Sequence, residues 1–267
     1  MKAIVCVKQV PDTSGKVAVN PDGTLDRASM ATIINHDDMS AMEAALRLKD
    51  ATGCKVIAVT MGPPPSEGML RELIAMGADE AVLISGREFG GSDTFATSQI
   101  IAAGINKIGI ENDTIVFCGR QAIDGDTAQV GPQIAEKLGL PQISYVADLK
   151  VADGKVTCKR LLEDGYMTLE AKTPCLLTCV KELNDARYMS VAGIMESYSK
   201  PMTVLDFNAL KDDPLIELDT IGLKGSPTNI LTSFTPPQKG AGTMMDGTDA
   251  AATCTKLANI LAEKHII

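Results

Sequence analysis

Short apolar runs alternate with longer segments of helical periodicity over the first half of the chain. Runs of apolar, often β-branched residues predict strands at 3–7, 55–60, 81–84 and 114–118. Apolar residues recurring every three or four positions predict helices at 38–49, from 63 through 76, at 94–108 and over roughly 129–138. Buried strands separated by helices are typical of a parallel sheet covered on both faces. The pattern therefore predicts a doubly wound, mostly parallel α/β sheet.

The pattern changes at about residue 141. Segments 143–151, 155–162 and 166–171 have the character of antiparallel strands joined by turns, and a last buried strand is predicted at 175–180. Prolines and glycines interrupt short apolar pieces from 200 to 238, and a helix is predicted over 247–265. Long irregular stretches are usually functional or bound to a partner. We therefore expect an α/β domain at 1–190 with a hairpin insertion at about 141–174, and an extended arm at 191–267 that embraces a second subunit and ends in a helix.

Composition narrows the function more than the fold. The chain has 267 residues, a formal charge of −9, 3% aromatic residues and two histidines. Negative charge argues against nucleic acid, which needs clustered lysine and arginine, and two histidines leave no room for a multi-histidine metal site. No stretch approaches the roughly 18 apolar residues of a membrane span. We expect a cytoplasmic protein without membrane insertion, metal or catalytic side chain, in which a cofactor carries any chemistry.

The seven cysteines do not form a framework of regular spacing. Cys6 and Cys118 fall in apolar runs, where a thiol behaves as a small hydrophobe. Cys175 and Cys179 are four residues apart, so in a strand they face the same side. We favour a structural role for this pair over redox or metal chemistry.

Ligands of doubly wound sheets bind at the carboxyl ends of strands, near the point where the strand order reverses. The richest strand end is the loop after 114–118, where small residues leave backbone N–H groups available to phosphate at a helix N-terminus. Gly125 permits a tight turn there, and Arg120 adds charge. The alternative is that Asp126 or Thr127 only caps the helix, with Gln129 completing a capping box. Composition favours nucleotide binding, and both interpretations can hold together.

A second polar cluster, Asn35, His36, Asp37 and Asp38, precedes the first predicted helix. By residue type it could clamp a ribose or an adenine edge. Taken alone, the cluster is better explained as a helix N-cap supplied by Asp37 or Asp38. His36 has no serine or cysteine partner that suggests a triad, so nucleophilic catalysis is unsupported.

Five ordered motifs resemble the beta (small) subunit of electron-transfer flavoproteins. They are Lys-Gln-Val-Pro-Asp-Thr at 8–13, the cluster 35–38 leading into 43–49, segment 56–59 with Met-Gly-Pro at 61–63, Ala-Met-Gly-Ala-Asp at 75–79, and the loop 119–131. The resemblance covers nearly the whole chain, including the hairpin before 173–174. It implies a heterodimer with an alpha subunit that carries one FAD.

The resemblance also implies a nucleotide pocket within this chain. Its residues would be Cys6, Asn35, His36, Asp37, Asp38, Met61, Gly119, Arg120, Gln121, Ala122, Ile123, Asp124, Gly125, Asp126, Thr127, Ala128, Gln129 and Val130. Ordinary members hold AMP there. Ala128 and Val130 replace the usual polar Asn and Thr, and this departure resembles the electron-bifurcating branch, whose beta subunit holds a second FAD.

The function implied by this branch is electron bifurcation. NADH would supply a hydride to the FAD of this subunit, one electron would pass to ferredoxin or flavodoxin, and the other would pass through the alpha-subunit FAD to an acyl-CoA dehydrogenase. Two alternatives stay open: a non-bifurcating beta subunit with structural AMP, and a stand-alone nucleotide-binding regulatory protein of the same sheet type.

Overall fold

The structure of the chain is a computed structural model that describes residues 1–12, 31–228, 231 and 240–267. Its strands are β1 (Lys2–Cys6), β2 (Gln9–Pro11), β3 (Thr32–Ile34), β4 (Lys55–Met61), β5 (Glu80–Ile84), β6 (Thr114–Gly119), β7 (Gln142–Ala152), β8 (Lys155–Leu162), β9 (Gly165–Lys172), β10 (Cys175–Cys179) and β11 (Met202–Leu205). Its α-helices are α1 (His36–Thr52), α2 (Glu67–Met76), α3 (Thr94–Ile108), α4 (Val130–Leu138), α5 (Val191–Glu196), α6 (Phe207–Leu210), α7 (Gly222–Gly225) and α8 (Ala250–Glu263). Thr13 of the first motif, and 229–230 and 232–238 of the irregular stretch, lie outside the described residues.

Nine of these strands form one twisted sheet in the order β11-β5-β4-β1-β6-β10-β7-β8-β9. All neighbours from β11 to β7 run parallel. Side chains alternate across the sheet, so Ala3 and Val5 of β1 pack in the layer of α1 and α2, whereas Ile4 packs with Ile100 of α3 and Ile134 of α4. Helices therefore cover both faces, and the predicted doubly wound, mostly parallel sheet is confirmed.

The antiparallel insertion extends the same sheet. Strand β8 pairs antiparallel with both β7 and β9, and β10 lies between β6 and β7. The predicted turn between β7 and β8 has positive φ at both central residues, +52° at Asp153 and +70° at Gly154. An Asp-Gly pair suits this turn because it tolerates the left-handed region and matches the strand twist.

The predicted strand at 175–180 is confirmed as the buried strand β10, but a further strand follows it that was not predicted. Strand β11 adds a further parallel strand at the edge of the sheet, beside β5. It was missed because it is only four residues long and exposes Thr203 and Val204 on an edge, so it lacks a continuous apolar run. After it, Leu210, Ile216 and Ile221 pack into the core layer of α3. The proposed boundary at residue 190 stays a prediction.

The C-terminal segment, residues 240–267, contains the predicted terminal helix as α8. Every residue of α8 is at least partly exposed, including Leu257 and Ile260 on its apolar side. Its N-terminus is capped by Asp249, whose side chain accepts a hydrogen bond from the Ala252 amide. Along the described part of the chain, no helix is long and apolar enough to cross a membrane.

Candidate functional site at the carboxyl ends of the strands

The order of the sheet reverses between β1 and β6. From β1 the chain proceeds through α1 to β4 and β5 on one side, then crosses through α3 to β6 on the other side. Crevices at such a reversal, outside the carboxyl ends of the strands, are the usual ligand sites of this architecture. The carboxyl-end cleft of this chain is defined here as the space bounded by Val7–Lys8, the N-terminus of α1 and the loop 119–130.

Asp38 joins the two central strands at this cleft. Its Oδ2 accepts a hydrogen bond from the Lys8 amide at 2.8 Å, and its Oδ1 accepts one from the Gly119 amide at 3.0 Å. Gly119 is required because a Cβ there would lie 2.2 Å from Oδ1 of Asp38. Burial raises the pKa of the Asp38 carboxyl to about 7, although the amides of Lys8 and Gly119 and the Asn35 side chain act in the opposite direction.

Asn35 ties the loop 119–130 to the N-terminus of α1. The side chain is fully buried; its Nδ2 donates to the Gln121 carbonyl at 2.7 Å, and its Oδ1 accepts from the Ile123 amide at 3.2 Å. The Asn35 amide donates to the Lys8 carbonyl, which links the same residue to the end of β1. Asn35 thus fixes the beginning of the loop through two bonds and joins it to the end of β1 through a third.

Beyond Ile123 the loop becomes exposed and adopts unusual backbone angles. Asp126 and Ala128 have φ of +55° and +53°, in the left-handed region that non-glycine residues rarely occupy. Gln129 follows Ala128 with φ −103° and ψ −31°. Neighbouring left- and right-handed residues direct successive N–H groups toward one side, which creates a concave site for an anion. The loop therefore has the backbone shape expected of a phosphate-binding turn.

Polar side chains anchor the exposed part of the loop. Lys8 Nζ lies 2.7 Å and 2.8 Å from the two carboxylate oxygens of Asp124, and Gln121 Nε2 donates to Asp126 Oδ1. Lys8 was not predicted as a site residue, although its position directly after the first strand at the carboxyl edge was the available clue. Gln129 accepts a hydrogen bond from the Thr94 hydroxyl at 2.9 Å.

The capping alternatives are wrong. Asn35 is the N-cap of α1, Asp37 and Asp38 lie in its first turn, and Asp38 bonds the amides of other elements. Gln129 is the N-cap of α4, so Asp126 and Thr127 precede the cap. The first cap was predicted two or three residues too late, at 37 or 38 instead of 35, and the second two or three residues too early, at 126 or 127 instead of 129. Asp38 bonds distant amides and Asp126 bonds the Gln121 side chain, so neither carboxylate caps a helix.

Gly125 has a different role from the one predicted. The Ala122 carbonyl accepts hydrogen bonds from the Gly125 and Asp126 amides, so the expected tight turn forms. The left-handed residues are Asp126 and Ala128, and a Cβ at Gly125 would meet no described atom within 4 Å. The turn does not need glycine at this position, and the surface beside it is open.

Arg120 lies beside Asp37 at the floor of the cleft. Its Nε is 3.2 Å from Asp37 Oδ2, but the two atoms are not aligned as a hydrogen bond, and within the described structure both are buried without another partner. Burial raises the pKa of the Asp37 carboxyl, and the Arg120 guanidinium partly offsets that rise. This pair leaves hydrogen-bonding capacity available at the cleft.

The remaining predicted site residues occupy the same edge of the sheet. Cys6 ends β1 opposite Cys118 of β6, Met61 ends β4 beside β1, and His36 is the exposed first residue of α1. Val130, the first residue of α4, is partly buried. The structure therefore brings the predicted residues to one edge of the sheet, although they come from four separate stretches of sequence.

Six of the seven cysteines are buried, and Cys254 is exposed. Cys175 and Cys179 share one core layer with Cys158, as their spacing predicted. Burial raises the pKa of Cys158 to about 12 and that of Cys175 to about 11, which keeps both thiols protonated and unreactive. Within the described ranges, His, Cys, Asp and Glu side chains form no group of three that could hold a metal ion.

Fold and cleft together define a doubly wound α/β protein with its candidate site at the sheet reversal. The chain belongs to the electron transfer flavoprotein family, because the family model described as the electron transfer flavoprotein domain matches residues 22–210. This result confirms the resemblance to the beta subunits of that family.

Three relatives align over the full length of both chains. The chain is 69% identical to the acryloyl-CoA reductase electron transfer subunit gamma of Anaerotignum propionicum and 51% identical to the caffeyl-CoA reductase-Etf complex subunit CarD of Acetobacterium woodii. It is 47% identical to the electron transfer flavoprotein subunit beta of Clostridium acetobutylicum.

Proposed function

We propose that this chain is the beta subunit of a heterodimeric, electron-bifurcating flavoprotein and binds FAD in its carboxyl-end cleft. NADH is the proposed electron donor. Ferredoxin or flavodoxin is the proposed low-potential acceptor, and an acyl-CoA dehydrogenase is the proposed acceptor through the alpha-subunit FAD. The observation that carries the nucleotide assignment is the left-handed pair Asp126 and Ala128 in an exposed loop at the sheet reversal.

The helix N-termini at the cleft support binding of the phosphate part of a nucleotide. Neither Asn35 nor Gln129, the N-caps of α1 and α4 in the described chain, bonds its own helix through its side chain. Both helix N-termini at the cleft therefore keep amides available, and the helix dipoles favour a negative group. The N-cap side chain of α2, Ser66, also makes no capping bond, whereas α3 is capped by Asp93. The uncapped N-termini of α1 and α4 lie at the sheet reversal, and this position supports a phosphate there.

Each group of residues has a distinct task in this proposal. Asn35 and Asp38 shape the floor of the cleft, the loop amides from 127 to 130 bind phosphate, and Arg120 supplies positive charge. Bound FAD supplies the electron-transfer chemistry, whereas the chain binds and orients it. FAD is preferred to AMP because Ala128 and Val130 replace the polar residues usual in the AMP-binding members that the sequence resembles.

Exposed apolar side chains support the proposed partners. Tyr188 and Met195 are 97% and 79% exposed around α5, and Met244 is 94% exposed in the C-terminal segment. Apolar surface concentrated in this way is typical of protein interfaces. The names of two relatives place them in acryloyl-CoA and caffeyl-CoA reductase systems, which supports an enzyme acting on an acyl-CoA as the partner here. We propose that the C-terminal segment of this chain contacts the alpha subunit.

Cofactor identification in the purified alpha–beta complex tests the proposal. The expected result is two FAD per heterodimer and reduction of both by NADH under anaerobic conditions. A content of one FAD and one AMP per heterodimer would contradict the proposal and support the non-bifurcating alternative. A colourless, stable chain that binds AMP or ATP without an alpha subunit would instead support the stand-alone regulatory alternative.

A further inference from the structure

Asp38 differs from the other candidate site residues in what its side chain contacts. It is only 6% exposed, and its two carboxylate oxygens accept backbone hydrogen bonds from Gly119 of β6 and from Lys8, two residues beyond β1. Those two amides are 111 positions apart in sequence but lie at the ends of the neighbouring strands that border the cleft. A carboxylate engaged in this way has little capacity left for a ligand.

The close approach at Gly119 shows how tightly this junction is built. A Cβ at that position would lie 2.7 Å from the Asp38 amide nitrogen and 2.8 Å from the Asp37 carbonyl carbon, both backbone atoms of α1. The N-terminus of α1 is therefore pressed against the end of β6, with Asp38 between β6 and β1. We therefore expect a change in the Asp38 bonds to alter the distance between the two walls of the cleft.

We propose that Asp38 is a positioning residue that sets the width of the carboxyl-end cleft, and that the cleft binds nucleotide more tightly when Asp38 is ionised. The proposal rests on the nucleotide-binding function proposed above. Its basis is chemical: a carboxylate accepts two N–H bonds equally well, whereas a protonated acid has one hydroxyl oxygen that accepts poorly.

The charged and titratable groups that face Asp38 come from α1, β6, β10 and the residues around the cleft. From α1, the Asp37 carboxylate disfavours ionisation of Asp38, while Asn35 donates to it. From β6 and β10, the thiols of Cys118 and Cys179 face it. A hydrogen bond with Cys6 and burial raise the pKa of Cys118, and burial raises that of Cys179, so both thiols stay protonated. The Lys8 and Arg120 side chains are paired with Asp124 and Asp37. The pKa of Asp38 is raised to about 7, mainly by burial.

The sign of the pH effect follows from that direction. Because the pKa in the folded chain lies above the ordinary value of 3.8, protonation of Asp38 stabilises the fold as pH decreases from about 7 to about 4. Ionisation of Asp38 above pH 7 lowers the stability of the fold, but it provides a carboxylate that accepts the hydrogen bonds of both amides. Stability and nucleotide affinity should therefore change with pH in opposite directions, which a purely structural residue would not produce.

Two measurements on the full chain test the proposal. In the first, amide proton shifts of Lys8 and Gly119 are followed by NMR from pH 5.5 to 8.5, which requires no ligand. Both should titrate together with a midpoint near pH 7 in the wild type and remain flat in Asp38→Asn. In the second, FAD and AMP are titrated calorimetrically at pH 6 and pH 8. The dissociation constant should increase about tenfold at pH 6, as one proton titrating near pH 7 allows.

Asp79→Asn is the matched control. Asp79 also accepts a strand amide, that of Val56 at 2.9 Å, but it lies at the opposite, amino end of the sheet and pairs with Lys49. This variant should keep the wild-type affinity and pH dependence, whereas Asp38→Asn should bind about tenfold more weakly at pH 8 and show no pH dependence. Loss of one bond to a charged acceptor accounts for that factor.

The outcomes separate this inference from the proposed function. Wild-type affinity and pH dependence in Asp38→Asn, or Lys8 and Gly119 amides that do not titrate, would overturn the role of Asp38 while leaving nucleotide binding intact. Titrating amides in a chain that binds neither FAD nor AMP at either pH would contradict the proposed function and the nucleotide part of this inference. Circular dichroism of each variant establishes that it is folded.

Discussion

The carboxyl-end cleft and the C-terminal segment use different interactions. In the cleft, buried Asn35 and Asp38 bond backbone groups that are 30 to 88 positions away in sequence. In the segment 240–267, the hydrogen bonds found link residues at most seven positions apart, and apolar side chains such as Met244 and Ile267 are exposed. The cleft is assembled by the fold of this chain alone, whereas the segment has apolar surface still to bury.

Because of this difference, we expect substitutions in the cleft to be tolerated less well than changes in the C-terminal segment. Polar bonds between distant elements define the shape of the cleft, so removing one partner leaves a buried group unsatisfied. Exposed local helices contribute little to the stability of the isolated chain but much to association. The free energy of unfolding of the isolated chain should therefore be most sensitive to changes in the cleft and least sensitive to loss of the C-terminal segment.

Substitution Gly119→Ala should have the largest effect. The new Cβ would overlap the Asp38 carboxylate and the backbone of α1, so we expect a loss of about 3 kcal/mol in the free energy of unfolding. Urea denaturation measures it. Gly125→Ala, in the same loop but with open space around it, is the control and should change stability by less than about 0.5 kcal/mol. Equal effects of both variants would show that α1 does not press on β6.

Asn35→Ala should have the second largest effect. It leaves the Gln121 carbonyl and the Ile123 amide without the buried amide that they bond, and a loss of about 2 kcal/mol is expected. Hydrogen exchange at the Ile123 amide should become faster. Asn106→Ala, whose side chain bonds Asp213 at the surface, is the matched control with little expected change. Unchanged exchange at Ile123 would contradict the role assigned to Asn35.

Removal of residues 240–267 should have the smallest effect on the isolated chain, less than about 0.5 kcal/mol, because α8 has no buried residue within the described structure. Association with the alpha subunit, measured by co-purification or light scattering, should be lost. A truncated chain that unfolds would show that the segment stabilises the isolated chain. A truncated chain that forms the complex at wild-type affinity would show that the segment does not bind the alpha subunit.

Thiol reactivity distinguishes the exposed C-terminal segment from the buried core without a substitution that changes stability. Cys254 on α8 is exposed, and the other six cysteines are buried. One thiol per chain should therefore react rapidly with a thiol reagent in the native isolated chain, and all seven after denaturation. In the complex with the alpha subunit, the rate at Cys254 reports whether α8 becomes covered. Rapid reaction of Cys158 or Cys175 would contradict their burial and raised pKa.

Much of the parallel sheet could be predicted from sequence because its determinants are local. The helix at 94–108 and the strand at 155–162 were predicted to the residue, since the period of their apolar positions is unambiguous. Strand β11 was missed because an exposed edge strand has little apolar signature.

The cleft could be predicted by residue but not by role. Glycine and small residues indicated the loop, yet the left-handed positions are Asp126 and Ala128 rather than Gly125. Aspartate is a residue type typical of helix caps, so the sequence suggested that role for Asp38. Only the packing of α1 against β6 shows that its carboxylate joins two strands. Pairings of this kind depend on where distant elements meet, which no local pattern contains.

The placement of the nucleotide in the carboxyl-end cleft can be tested through the flavin content of the alpha–beta complex carrying Thr127→Trp. Thr127 is exposed between the two left-handed residues, so the folded chain should accept the larger side chain while the cleft loses room for a nucleotide. We predict a decrease from two FAD to one FAD per heterodimer, with two retained in a control substitution, Asp164→Trp, at the exposed turn between β8 and β9. Two FAD in the Thr127 variant would contradict the placement of the nucleotide in this cleft.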